Sequence, residues 1–247
     1  MDPVTYDADL RERLRANLAA HERVELPLDA RRAAAVAIVL VDSDARHHDG
    51  EPLDGERLDL SMIPSATVDH HRGLPLDGRM VGVAGGAAFL LCRRASRLSR
   101  HAGQWALPGG RIDEGETALE AALRELDEEL GVRLGPSSVV GWLDDYATRS
   151  GYRISPVVLW GGADPNVTPA PDEVLAAYRI GLHALLASEP RLVPIPESER
   201  PVLQMPLGND LIHAPTGALL LQLRQVALLG RAGERVDEYE EPVFAWR

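Results

Sequence analysis

Four carboxylates, Glu125, Asp127, Glu128 and Glu129, fall within five consecutive positions at the end of a helix that the flanking residues predict. Local physics disfavours the arrangement. The C-terminus of a helix already presents the negative end of its macrodipole. Glu125 also repels Glu128 and Glu129 at three- and four-residue spacing, each pair costing roughly 0.2–0.5 kcal/mol. A chain that breaks a local rule so densely is usually serving a site. The simplest compensation is a hard divalent cation, which prefers carboxylate oxygens. Metal chemistry of that kind neutralises phosphoryl oxygens and lowers the pKa of bound water.

The helix that must carry these acids is well specified. Thr117 and Glu120 form a capping-box pattern at its start. Leu119, Ala122, Leu123, Leu126 and Leu130 recur at three- and four-residue steps and predict one apolar stripe facing a core. Gly131 is suited to a left-handed C-terminal residue, with Val132 packing back. On this helix Glu125, Glu128 and Glu129 share a face beside the stripe, Asp127 points elsewhere, and Arg124 is expected to pair with Glu120 and Glu128.

Upstream, Arg93, Arg94, Arg97 and Arg100, with His101 alongside, form a dense cationic run in an acidic chain. Planar guanidinium groups suit phosphate oxygens. The run therefore reads as a phosphate-binding patch beside the acidic helix.

Residues 110–132 resemble the box of the Nudix hydrolase family, G-x5-E-x7-R-E-U-x-E-E-x-G-U with U aliphatic. Gly110, Glu116, Arg124, Glu125, Leu126, Glu128, Glu129, Gly131 and Val132 fill every fixed position. The resemblance implies an α+β fold, an α/β/α sandwich with a mixed β-sheet between helices and a loop–helix–loop motif. It further implies Mg2+ or Mn2+ as cofactor, with Glu125, Glu128 and Glu129 as ligands and Gly110 at the metal loop. Arg124 would orient the glutamates and Glu116 would support them. The general base is not fixed by the box: Glu125 is the first choice, with Glu173, Asp144 and Asp145 as competitors.

The run from Leu90 to Arg94, continuing through Gly103 and Gln104 to Pro108-Gly109-Gly110, resembles the signature of coenzyme A diphosphatases within that family. Gly151–Val158 and Asp172–Val174 resemble later strands of the same subgroup, while Cys92, Ala95, Ser99 and Leu107 depart from its usual residues. The implied substrate is a small nucleoside diphosphate derivative, coenzyme A or its thioesters first. ADP-ribose, NADH or nucleotide sugars are the alternatives, and a non-catalytic nucleotide sensor is a third reading. Arg94, Arg97, Arg100 and Gly109 are the candidate substrate-binding residues. Family habit is compatible with a homodimer.

Composition bounds these readings. The chain has 247 residues, 45% of them hydrophobic and 26% charged, and all 26 basic residues are arginine. The absence of lysine excludes a P-loop or Schiff-base lysine. A net charge of −12 argues against extended nucleic-acid binding. One cysteine, Cys92, precludes an internal disulfide and fits a reducing compartment. No run reaches the roughly 18–20 apolar residues of a membrane span, and no secretory pattern opens the chain, so a cytoplasmic location is expected.

Along the chain, 1–30 reads as a helical extension, with an amphipathic helix over 7–21. The Nudix-like domain is expected over 31–190, with strands at 33–41, 80–93, 138–146, 153–161 and 173–180, a helix at 181–187 and an insertion at 43–79. Residues 191–247 read as a C-terminal extension with a helix at 216–229 and an edge strand at 242–246. His47, His48, His70 and His71 read as solvated loop residues, and His213 as structural.

Overall fold

A computed structural model describes residues 1–43, 80, 82–95 and 103–246, without the side chains of residues 244 and 245. The 44–79 part of the expected insertion, with its four histidines, and Arg97, Arg100 and His101 lie outside the described residues.

The centre is an apolar strand, β1 (Arg32–Ser43), built from the Ala/Val/Ile run read as a buried strand. It pairs in parallel with β7 (Tyr152–Ala163) over eleven register positions and antiparallel with β2 (Gly86–Arg94). Around this trio stand β3 (Trp105–Ala106), β4 (Gly109–Arg111), β5 (Val139–Trp142), β6 (Tyr146–Ala147) and β8 (Val174–Gly181). Among the described residues these eight strands form one mixed sheet, ordered β3-β2-β1-β7-β5 with β8 on β2, β4 on β1 and β6 on β7.

Strand pleating sends alternate side chains to two cores. Ala35, Ala37, Val39 and Val41 of β1, with Ala88, Leu90 and Cys92 of β2, face helix α2 (Ala118–Leu130). Ile38, Leu40, Phe89 and Leu91 face the opposite side, where α1 (Ala8–Ala20), α3 (Leu182–Ala187) and α4 (Thr216–Gln222) pack. The expected α/β/α sandwich is therefore present. Leu126 and Leu130 are fully buried between α2 and the sheet, each contributing about 2–3 kcal/mol by apolar transfer.

The chain beyond residue 190 holds more β structure than its proline-rich sequence suggests. β9 (Arg191–Ile195), β10 (Ser198–Leu207) and β11 (Asp210–His213) make a second, three-stranded sheet. The helical run at 216–229 is α4 followed by a wider π turn, Leu223–Leu228. The expected edge strand at 242–246 is instead a 3-10 turn, Val243–Trp246. Pro242 offers no amide, and Glu240 bridges Val202 just before it. The strand expected over 138–146 is divided into β5 and β6.

Candidate active site

Helix α2 begins as its sequence dictates. The Thr117 side chain accepts from the Glu120 amide and the Glu120 carboxylate accepts from the Thr117 amide at 2.8 Å, completing the capping box. Gly131 ends the helix at φ 67°, where an L side chain would be strained. Neighbouring backbone satisfies the terminal carbonyls: Thr168 N–H donates to Leu130 and Ala170 N–H to Glu129, both at 2.8 Å. The loop leading to Glu173 is thereby docked on the acidic end of α2.

Arg124 organises the carboxylates. Its guanidinium donates to Glu116 at 2.9 and 3.0 Å, Glu125 at 2.8 Å, Glu128 at 3.0 Å and the Arg111 carbonyl at 3.0 Å. The expected Arg124–Glu120 contact does not form, because Thr117 takes both the amide and hydroxyl bonds to Glu120. Hydrogen bonding to Arg124 holds the Glu116 carboxyl below its usual range. Asp127 does point elsewhere, pairing with Arg133 at 3.0 Å.

The two inner glutamates carry less compensation. Burial raises the Glu125 carboxyl above its usual range, against the pull of Arg124. Glu129 is buried, and desolvation raises it from 4.5 to about 7 although the Gly109 amide and Arg94 favour its charged form. The Gly109 amide donates to Glu129 Oε2 at 3.1 Å. A side chain at Gly110 would strike the Glu125 carboxylate, and one at Gly109 would strike β1 at Ala35 and Val36. These glycines let β4 pair closely with β1 beside the carboxylates. Glu173, exposed on the neighbouring loop, adds negative potential at both Glu125 and Glu129.

Among the described residues, no three Asp, Glu, His or Cys side chains stand together as a ready-made cation cage. Arg124 draws Glu125 and Glu128 to itself. The donor chemistry nonetheless suits a hard cation: every acid is a carboxylate, and burial leaves Glu125 and Glu129 short of positive charge.

The cationic run is split by the strand pleat. Arg94 shares the α2 face with Cys92, and its charge acts on Glu129. Arg93 turns to the opposite face, buried in an ion pair with Asp210 at 2.9 Å and stacked 4.5 Å from the Trp105 ring. Arg93 is therefore not part of a phosphate-facing patch. Asp144 and Asp145 are also excluded as free bases. Asp144 accepts from the Val24 amide at 2.8 Å, Gln222 at 2.6 Å and Arg235 at 3.0 Å, and lies 2.9 Å from His21 Nε2. Burial alone would raise Asp144, but these partners hold it low. Asp145 is engaged by Arg23 at 2.9 Å and Ser155 at 2.8 Å. Cys92 is buried, its thiol pushed up by desolvation, as packing rather than reactivity requires.

Residues 79–199 match the NUDIX domain model. An uncharacterized Nudix hydrolase, NudL, from Yersinia pestis is 36% identical over 99 residues, 40% of this chain and 50% of its own length. The NudL of Yersinia pseudotuberculosis matches to the same extent. The chain thus spans about half the length of the curated relatives it matches. Among solved structures, a Nudix hydrolase from M. smegmatis, RenU, aligns at 18% identity and TM-score 0.43, covering 81% of this chain and 87% of that one. A MutT NUDIX hydrolase from Burkholderia pseudomallei aligns at 19% identity and TM-score 0.39, covering 78% of this chain and 97% of that one. Together with the unbroken box on α2, the domain match shows that residues 79–199 of this chain carry a Nudix domain. None of its described helices is long and apolar enough to cross a membrane.

Proposed function

We propose that the protein is a metal-dependent Nudix hydrolase that cleaves the diphosphate linkage of a small nucleoside diphosphate derivative. The observation that carries this reading is the charge imbalance on one face of α2. Glu116, Glu125, Glu128 and Glu129 gather there, while Arg124 is the one arginine hydrogen-bonded to them among the described residues. Mg2+ or Mn2+ held by Glu125, Glu128 and Glu129 would supply charge neutralisation and an activated water. Gly110 leaves room for the Glu125 carboxylate, and Glu116 fixes Arg124 so that its guanidinium orients Glu125 and Glu128. Arg94, on the same face, supplies positive charge for a phosphate. Glu125 is the base that would take the proton from water; Glu173, within electrostatic reach, is the alternative.

Coenzyme A or a thioester of it is the leading substrate, supported by the Leu90–Arg94 and Pro108-Gly109-Gly110 sequence. ADP-ribose, NADH and nucleotide sugars are the competing ones. A panel of these compounds with magnesium or manganese, its products resolved by chromatography, identifies the bond broken. Glu128→Gln and Glu129→Gln are expected to fold and to lose most turnover. Full activity in both would refute the ligand set.

A further inference from the structure

Asp210 lies in β11, outside the 79–199 domain match, on the face of the sheet away from α2. Its carboxylate nevertheless grips the two strands that lead into the site. Oδ2 accepts from Arg93 Nη1 at 2.9 Å and from the indole Nε1–H of Trp105 at 2.6 Å, while Oδ1 accepts from the Leu211 amide at 2.8 Å. Both side chains of the ion pair are almost completely buried, at 3% and 5% exposure. Arg93 and Trp105 are themselves cross-strand partners in β2 and β3. The Trp105 ring lies under the Arg93 guanidinium and meets Tyr178 edge-on at 5.2 Å, and the Trp105 carbonyl accepts from Thr216 at 3.2 Å. Asp210 is therefore the shared acceptor that locks the mouth of the β2–β3 hairpin.

The next residue along β2 is Arg94, which the pleat directs to the acidic face. The β2–β8 register slips between Arg93 and Arg94, a bulge of the kind that re-aims side chains near sites. Arg94 Nε is buried with no hydrogen-bond partner among the described residues. The Arg94 backbone is held on both sides: its amide donates to the Gln104 carbonyl at 3.0 Å and its carbonyl accepts from the Gly103 amide at 3.1 Å. That backbone is one residue from the Asp210 anchor.

We propose that Asp210 is a positioning residue for diphosphate hydrolysis, clamping the Arg93–Trp105 pair from behind the sheet so that Arg94 is aimed at substrate phosphate. The inference rests on the reading of Arg94 as a phosphate-binding group. Its consequence is a separation of binding from chemistry, because the carboxylates on α2 are not held by Asp210.

The test uses the full chain with Asp210→Asn, Arg94→Ala, both together, and Trp105→Phe, which removes the indole donor and keeps a smaller aromatic ring under Arg93. KM and kcat are measured on coenzyme A and ADP-ribose, and ADP affinity by calorimetry. Asp210→Asn is expected to raise KM and the ADP dissociation constant about five- to tenfold with kcat within about twofold, the scale of one ordinary hydrogen bond. Trp105→Phe should move KM the same way, about two- to threefold, and serves if Asp210→Asn does not fold. In the Arg94→Ala background the Asp210 change should add nothing further to KM. An unchanged KM, a fall in kcat alone, or full additivity with Arg94→Ala would overturn the inference while leaving the hydrolase reading intact. A wild-type chain that cleaves neither compound and binds no ADP would overturn both.

Discussion

Two acidic clusters in this molecule use the same residue types to opposite ends. On α2, half-buried Glu125 and buried Glu129 have too little positive charge around them, and both are raised, Glu129 to about 7. At the C-terminal segment, Glu240 is just as buried but accepts from Arg149 at 2.6 Å, Arg200 at 3.1 Å and Ser198 at 2.9 Å. Burial there is outweighed, chiefly by Arg149, and Glu240 is pulled down to about 2. Asp144 is likewise held low by its partners. A neutralised cluster ties chain segments together; an under-neutralised one keeps negative potential, which in the proposed function a cation would offset. Counting acids does not distinguish them, whereas counting their partners does.

The comparison breaks most visibly at Glu129. Glu129→Gln removes a desolvated charge that no ion pair compensates, so the melting temperature should hold or rise. Turnover should fall on the order of 10²–10³-fold, the scale of losing one electrostatic stabiliser. Glu240→Gln should do the reverse, leaving kcat in place while costing about 2–3 kcal/mol of stability in denaturant titrations. Both arginines are nearly half exposed, at 44% and 45%, which keeps the loss at the low end of the buried-pair scale.

Glu241 sharpens the contrast within the C-terminal cluster. It is buried with the Arg149 amide donating at 2.9 Å, and desolvation raises it from 4.5 to about 7. A carboxyl raised on folding favours the folded state below pH about 4.5 and withdraws that stability as pH climbs to about 7. Glu240, depressed on folding, contributes stability above about 4.5 that is lost as pH falls toward about 2. Glu241→Gln should therefore match the parent in unfolding free energy at pH 4 and exceed it at pH 8, by on the order of 2 kcal/mol. No gain at pH 8 would show that Glu241 is already compensated. The smallest effect is expected at Gly110→Ala, where the new methyl displaces the flexible Glu125 carboxylate. Turnover should drop about tenfold, the rate equivalent of 1.4 kcal/mol, with the melting temperature nearly unchanged.

The acidic helix was legible because everything that specifies it is local. The Thr117–Glu120 box, the leucine stripe and Gly131 act within a few residues of one another. Arg124 was readable as an organiser, though Thr117 holds Glu120 away from it and its further partners are Glu116 and the Arg111 carbonyl, off the helix. What escaped depends on distant pairings. Arg93 and Asp210 are 117 positions apart, so a run of arginines looked uniform until the pleat divided it. Asp144 looked available until Val24, His21, Gln222 and Arg235 converged on it. The second sheet was obscured by Pro194, Pro201 and Pro206 within its strands, residues that interrupt a hydrogen-bonded ladder and so read as loop.

The position of β1 has a practical consequence for dissection. It supplies the middle of the sheet yet precedes residue 79, and its eleven paired positions along β7 have no substitute in the 79–199 stretch. A fragment cut at those limits would present two half-sheets with a slot between them, and should be recovered from cells as aggregate. Reductive trimming toward a minimal enzyme must therefore retain residues 32–43, supplied either in cis or as a complementing peptide.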